Sequence, residues 1–97
     1  MILSNKQTRY LRGLCHGLKP VVMVGQNGLT DSVMHELEQA LDHHELVKVK
    51  LRGDRDSRQQ WIERITEASS AVLVQRIGQV ACFFRRNPEQ SHIELPR

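Results

Sequence analysis

The sequence predicts a single α/β domain, and three stretches carry that reading. In Lys19-Pro20-Val21-Val22-Met23-Val24-Gly25-Gln26-Asn27-Gly28-Leu29-Thr30-Asp31, five nearly continuous apolar residues give way to a glycine-bounded loop and then to helix-start chemistry. Leu46-Val47-Lys48-Val49-Lys50-Leu51-Arg52-Gly53 alternates strictly, so it predicts a strand with Val47, Val49 and Leu51 on the core and a basic outer face. With a helix of about four turns between them, these strands form a right-handed βαβ unit and run parallel. The third stretch, Ala71–Ile77 and Val80–Arg85 around Gly78-Gln79, predicts an antiparallel hairpin.

The remaining elements follow in order. Ser4-Asn5-Lys6-Gln7 is a capping box, so a first helix starts there; Tyr10, Leu11, Leu14 and Cys15 form its apolar face, and Gly17 and Pro20 end it. A second helix runs from about Asp31 to His44 on a stripe of Val33, Met34, Leu37, Ala40 and Leu41. After the turn Gly53-Asp54-Arg55-Asp56, the pair Asp56 and Gln59 offers a second capping box. That third helix reaches about Ala68, with Trp61, Ile62, Ile65 and Ala68 on one side and Trp61 read as core. Residues 89–97 read as a polar tail in which Ile93-Glu94-Leu95-Pro96 touches the surface.

Composition bounds the function. The 97 residues are 39% hydrophobic and 26% charged, as in an ordinary globular protein able to bury a core without disulfides or metal. No apolar run approaches the roughly 20 residues of a membrane helix. Met1 to Lys6 lacks a signal-peptide hydrophobic region, so a cytoplasmic location is expected. Cys15 and Cys82 fit no metal-ligand spacing and read as buried free thiols.

The net charge of +3 is unevenly spread. Residues 1–20 carry Lys6, Arg9, Arg12 and Lys19 without an acid, residues 21–46 carry acids without Lys or Arg, and residues 47–58 turn basic again. Such blocks predict one basic and one acidic side, the acidic arc of the second helix being Asp31, Glu38, Asp42 and Glu45. Gly25 and Gly28 can take positive φ and admit a close approach, and the helix behind them aims N–H groups at whatever covers the loop. His43 and His44 read as helix-end residues. No acid, base or metal set converges with any of the five histidines, so catalytic and metal residues are expected to be absent, as are cofactors.

The element order, with Leu11-Arg12-Gly13-Leu14, Gly25-Gln26-Asn27-Gly28 and His43-His44-Glu45-Leu46-Val47-Lys48-Val49, resembles the CRM domain, named for chloroplast RNA splicing and ribosome maturation. It is most similar to the free-standing bacterial form, the YhbY family, along essentially the whole chain. The resemblance implies a four-stranded mixed sheet packed with three helices, shaped like the C-terminal domain of translation initiation factor three. It also implies RNA binding and a role with large ribosomal subunit precursors.

These readings predict a non-catalytic, monomeric protein that binds ribosomal RNA in large-subunit precursors. Lys6, Arg9, Arg12, Lys19, Lys48 and Lys50 would attract phosphate, and Gly25, Gln26, Asn27 and Gly28 would clamp the strand. Because Gln26 and Asn27 are uncharged, the loop would act through backbone N–H groups and neutral hydrogen bonds. The competing expectation is a protein-interaction module recruited through a ribosomal protein by the Phe83-Phe84 hairpin or the acidic second helix.

Overall fold

Side-chain chemistry sets where each helix begins in the computed structural model, which describes residues 2–97. Ser4 Oγ accepts the Gln7 N–H at 3.1 Å while Gln7 Oε1 accepts the Ser4 N–H at 3.0 Å. The capping box thus forms, and α1 spans Asn5–His16. Thr30 caps α2, Asp31–His44, its hydroxyl accepting the Val33 N–H. For α3, Arg55–Ser69, the structure corrects the expected start: Asp54, not Asp56, is the cap, its carboxylate taking the Ser57 N–H at 2.7 Å. Both aspartates have cap chemistry, but the chain turns sharply as it leaves the preceding strand, with Gly53 N–H on the Leu51 carbonyl at 3.1 Å, and this starts the helix two residues early.

The strands are β1 Val22–Val24, β2 Leu46–Leu51, β3 Val72–Ile77 and β4 Val80–Phe84, in sheet order β1-β2-β4-β3. β1 and β2 are parallel and the other pairings antiparallel, so the βαβ unit and the hairpin join into one four-stranded mixed sheet. Alternation divides the side chains between two cores. Val22, Val24, Val47, Val49, Leu51 and Phe83 pack with α2 and α3, whereas Leu46, Val74, Cys82 and Phe84 pack with Leu11 and Cys15 of α1. Phe83 and Phe84 are both 0% exposed, one in each core, which removes them as a docking surface. Burying each contributes on the order of 2–3 kcal/mol.

Two stripes deviate from the expected periodicity. On α1, Leu11 and Cys15 are buried but Tyr10 and Leu14 stay 43% and 38% exposed, because the helix lies over one end of the sheet only. On α3, Ala68 is exposed and Ser69 is buried instead, its hydroxyl donating to the Ile65 carbonyl at 2.6 Å and accepting the Ala71 N–H at 3.1 Å. Ser69 therefore serves the chain reversal into β3, which a purely apolar stripe does not reveal. The two free cysteines are buried against each other, and their mutual hydrogen bond, with burial, pushes the Cys15 thiol pKa up.

The acidic arc of α2 is smaller than the sequence suggests. Arg85 binds Glu38 at 2.5 Å and Asp42 at 2.9 Å. Glu45, at φ 61, is fully buried. Its carboxylate accepts N–H groups from Asn87 at 2.7 Å, from Ile93 at 2.9 Å, and from His92. Burial alone would raise the Glu45 pKa, but those three donors outweigh it and hold it below the ordinary carboxylate value. They also dock the tail, whose Ile93 and Leu95 pack against the α1 core.

Candidate nucleic-acid interface

Three turns meet at the carboxyl end of β1 and β2. The Arg52 N–H donates to the Val24 carbonyl at 2.8 Å, placing the Gly53 turn beside the Gly25–Gly28 loop, and the Leu51 N–H donates to Gln79 at 2.6 Å, placing the Gly78 hairpin turn on the other side. The loop is a tight turn closed by the Gly28 N–H on the Gly25 carbonyl at 2.9 Å. Gly28 alone of the loop glycines has positive φ, 74°, so it is the position that requires glycine; Gly25 does not share that conformation. Gln26 and Asn27 form the exposed tip, and their N–H groups donate to no acceptor among the described residues. Behind the loop, Asp31 already stands in the first turn of α2, so the positive end of that helix faces a carboxylate of its own. The loop backbone, rather than the helix end, is what remains open to an anion.

Trp61 lies beneath this end, half-buried against the core as expected. A Cβ at Gly53 would sit 2.5 Å from its ring, and one at Gly28 would sit 3.7 Å from its indole nitrogen. The indole thus joins the two turns, and Gly53 is a close-approach glycine that the sequence did not single out.

The expected basic residues separate by role. Lys50 is registered with Met23 on one side and Val80 on the other, and Val80 with Ile77. These four side chains form a row across all four strands, on the part of the sheet that α1 leaves open, close to the loop. Met23 and Ile77 are 53% and 62% exposed there. Lys48 is one row back and is committed: its ammonium donates to the Cys15 and Leu18 carbonyls at 3.0 and 3.1 Å, closing the C-terminus of α1. Arg12 is partly committed, with Nε on the Val74 carbonyl at 3.1 Å. Lys6 and Arg9 are exposed along α1, and exposed Lys19 borders a groove lined by Leu14, Leu18 and Val21. The structure therefore brings Gly25–Gly28 and Lys50 together, spreads Lys6, Arg9, Arg12 and Lys19 along α1 and its exit, and turns Lys48 inward.

Sequence reading left Arg52, Arg55, Arg58 and Arg76 out of the site. Arg52 abuts the loop, while Arg55, Arg58 and Arg76 line a cleft beside Gly78. Choosing Asp54 as the cap would have put Arg55 and Arg58 three apart in the first turn of α3. Arg76 arrives from β3, and only the sheet order supplies it. Among the described residues, Arg85 alone forms ion pairs, so none of the cations around the loop is held in one. Among the described residues, no group of three or more His, Cys, Asp or Glu side chains could hold a metal, and no helix is long and apolar enough to cross a membrane.

The CRS1 / YhbY (CRM) domain family matches residues 3–85. A Haemophilus influenzae protein named RNA-binding protein is 49% identical over 96 residues, covering 98% of this chain and 96% of its own length. A Pseudomonas aeruginosa protein named as a probable RNA-binding protein is 43% identical over 90 residues, covering 92% of this chain and 86% of its own. The solution structure of a Staphylococcus aureus protein, described as a candidate RNA-binding protein, superposes with a TM-score of 0.82 at 33% identity, covering 98% of this chain and 100% of that one. By sequence and by fold, the chain belongs to the CRS1 / YhbY (CRM) domain family.

Proposed function

We propose that this protein binds ribosomal RNA in precursors of the large ribosomal subunit and assists their assembly in the cytoplasm, without catalysing a reaction. The observation that carries the RNA reading is the combination of unengaged N–H groups at the exposed loop tip with surrounding lysines and arginines that form no ion pair among the described residues. Phosphate oxygens satisfy both: they accept from the Gln26 and Asn27 N–H groups and attract Lys50, Arg52 and the exposed cations of α1. The names of the relatives support RNA as the ligand class, and the resemblance to bacterial CRM proteins supports the ribosomal setting.

Recognition by this surface relies on shape and charge. Trp61 is tucked under the loop, the phenylalanines are buried and Tyr10 on α1 is a lone exposed ring, so no platform of several aromatics is offered to stacked bases. A sucrose gradient of cell lysate tests the reading. Comigration with large-subunit precursors at low salt, lost at high salt and on Gly28→Asp, is the expected result. Protein that stays at the top of the gradient in every condition overturns the ribosomal role.

A further inference from the structure

The geometry points to a second phosphate position: the cleft between the first turn of α3 and β3, where Arg55, Arg58 and Arg76 converge, receives a backbone phosphate of the strand that crosses the Gly25–Gly28 loop. This inference rests on the RNA-binding reading and names a part of the interface that the loop and α1 do not include. The cleft is open, about 440 Å³, and is also lined by Asp56, Gln59 and Gly78. Three guanidinium groups from two elements share it, yet none lies within ion-pair distance of a carboxylate among the described residues. Asp54 accepts the Ser57 N–H in its capping role, and Asp56 stands on the rim without pairing.

The arginine heads are held in place by neutral groups. Arg58 donates one terminal N–H to the Gly53 carbonyl at 2.8 Å, and Arg76 donates one to Gln59 Oε1. Each anchor fixes a planar fork while leaving further N–H groups for a second acceptor. The Nε of Arg58 is buried, without an acceptor and out of a ligand's reach, so the terminal N–H groups are the ones left for an anion. Like charges brought together raise the energy of the empty cleft, and an anion relieves it.

Position argues for the same strand. Gly53, whose carbonyl holds Arg58, touches one end of the Trp61 indole, and Gly28 adjoins the other. The indole of Trp61 thus lies between the loop and the turn that holds the cleft's Arg58. A phosphodiester backbone carries a charge at every nucleotide and can engage both.

The test uses the full chain and a short fluorescein-labelled oligouridylate, titrated at several salt concentrations. The double variant Arg55→Gln with Arg76→Gln is compared with the charge-matched control Arg64→Gln with Arg97→Gln, whose residues are exposed and do not line the cleft. The cleft variant is expected to lose about tenfold in affinity and to flatten the slope of log K against log salt by about 0.7 per phosphate lost, while the control stays within about twofold. If the double variant does not fold, Arg55→Gln alone, which breaks no hydrogen bond, is expected to weaken binding by about threefold relative to Arg64→Gln. Equal affinities for cleft variant and control overturn the inference and leave RNA binding intact. A wild-type chain that fails to bind at low salt overturns the RNA reading and this inference together.

Discussion

Two single residues hold more of this structure than their types suggest. Glu45 is a charged side chain in a dry site, stable there because three backbone N–H groups of the tail surround its carboxylate. Glu45→Gln keeps the shape, removes the charge and points an amide donor at other donors, so a loss of about 2–3 kcal/mol at neutral pH is expected. The pH dependence follows from the lowered pKa. The stabilisation is complete above the unfolded carboxyl value, about 4.3, and disappears as pH falls through the lower folded value. Urea melts at pH 7 and pH 3 check this: the gap between wild type and variant narrows in acid, and a constant gap contradicts the account. Gly53 is the second residue. A methyl group there would meet the Trp61 ring at 2.5 Å, so Gly53→Ala is expected to cost about 1–3 kcal/mol and to shift the Trp61 fluorescence, both measured in one denaturation series.

At the scale of elements, β2 separates binding from structure within three residues. Lys48 and Lys50 share one face and look equivalent in the alternation, but α1 ends over Lys48 and leaves Lys50 open. Lys48→Met removes the donor shared by the Cys15 carbonyl in the last turn of α1 and the Leu18 carbonyl just beyond it, and is expected to lower stability by about 1–2 kcal/mol with little change in the salt dependence of RNA binding. Lys50→Met is expected to stay within about 0.5 kcal/mol of wild type in stability but to weaken RNA binding. Paired thermal melts and RNA titrations of the two variants distinguish these roles, and matching effects would refute the division. α1 itself is legible in both its start and its periodicity. Its exposed Tyr10 and Leu14 are not, since periodicity reports which face is apolar and not how much sheet lies beneath it.

Across the whole molecule, the tail closes the end of the sheet away from the loop. Gln7 donates to the Pro96 carbonyl at 3.1 Å, and Ile93 and Leu95 cover the α1 core. Deleting residues 89–97 strips two N–H donors from Glu45 and uncovers that core. A loss of about 3 kcal/mol is expected, lowering Tm by roughly 12 °C or more in differential scanning calorimetry. The same deletion leaves the loop end untouched, so RNA affinity measured well below the lowered Tm should remain near wild type. A large drop in affinity would tie the tail to the interface.

The sequence by itself determined the elements, their order, the parallel pairing of β1 with β2, the β3–β4 hairpin and the Gly25–Gly28 loop, because capping, periodicity and turn chemistry are encoded within a few neighbouring residues. It also marked Lys50 and the exposed cations of α1, which needed only a strand or helix phase. Tertiary structure alone decided which charges remain free. Lys48 is spent on a helix end more than thirty residues away in sequence, Glu45 is buried by the tail, and Glu38 and Asp42 are held by Arg85. It also assembled the arginine cleft, since Arg76 meets Arg55 and Arg58 only after β3 has joined the sheet's edge. Local sequence fixes backbone geometry through short-range sterics and hydrogen bonds, whereas the availability of a charge depends on partners that only long-range packing supplies.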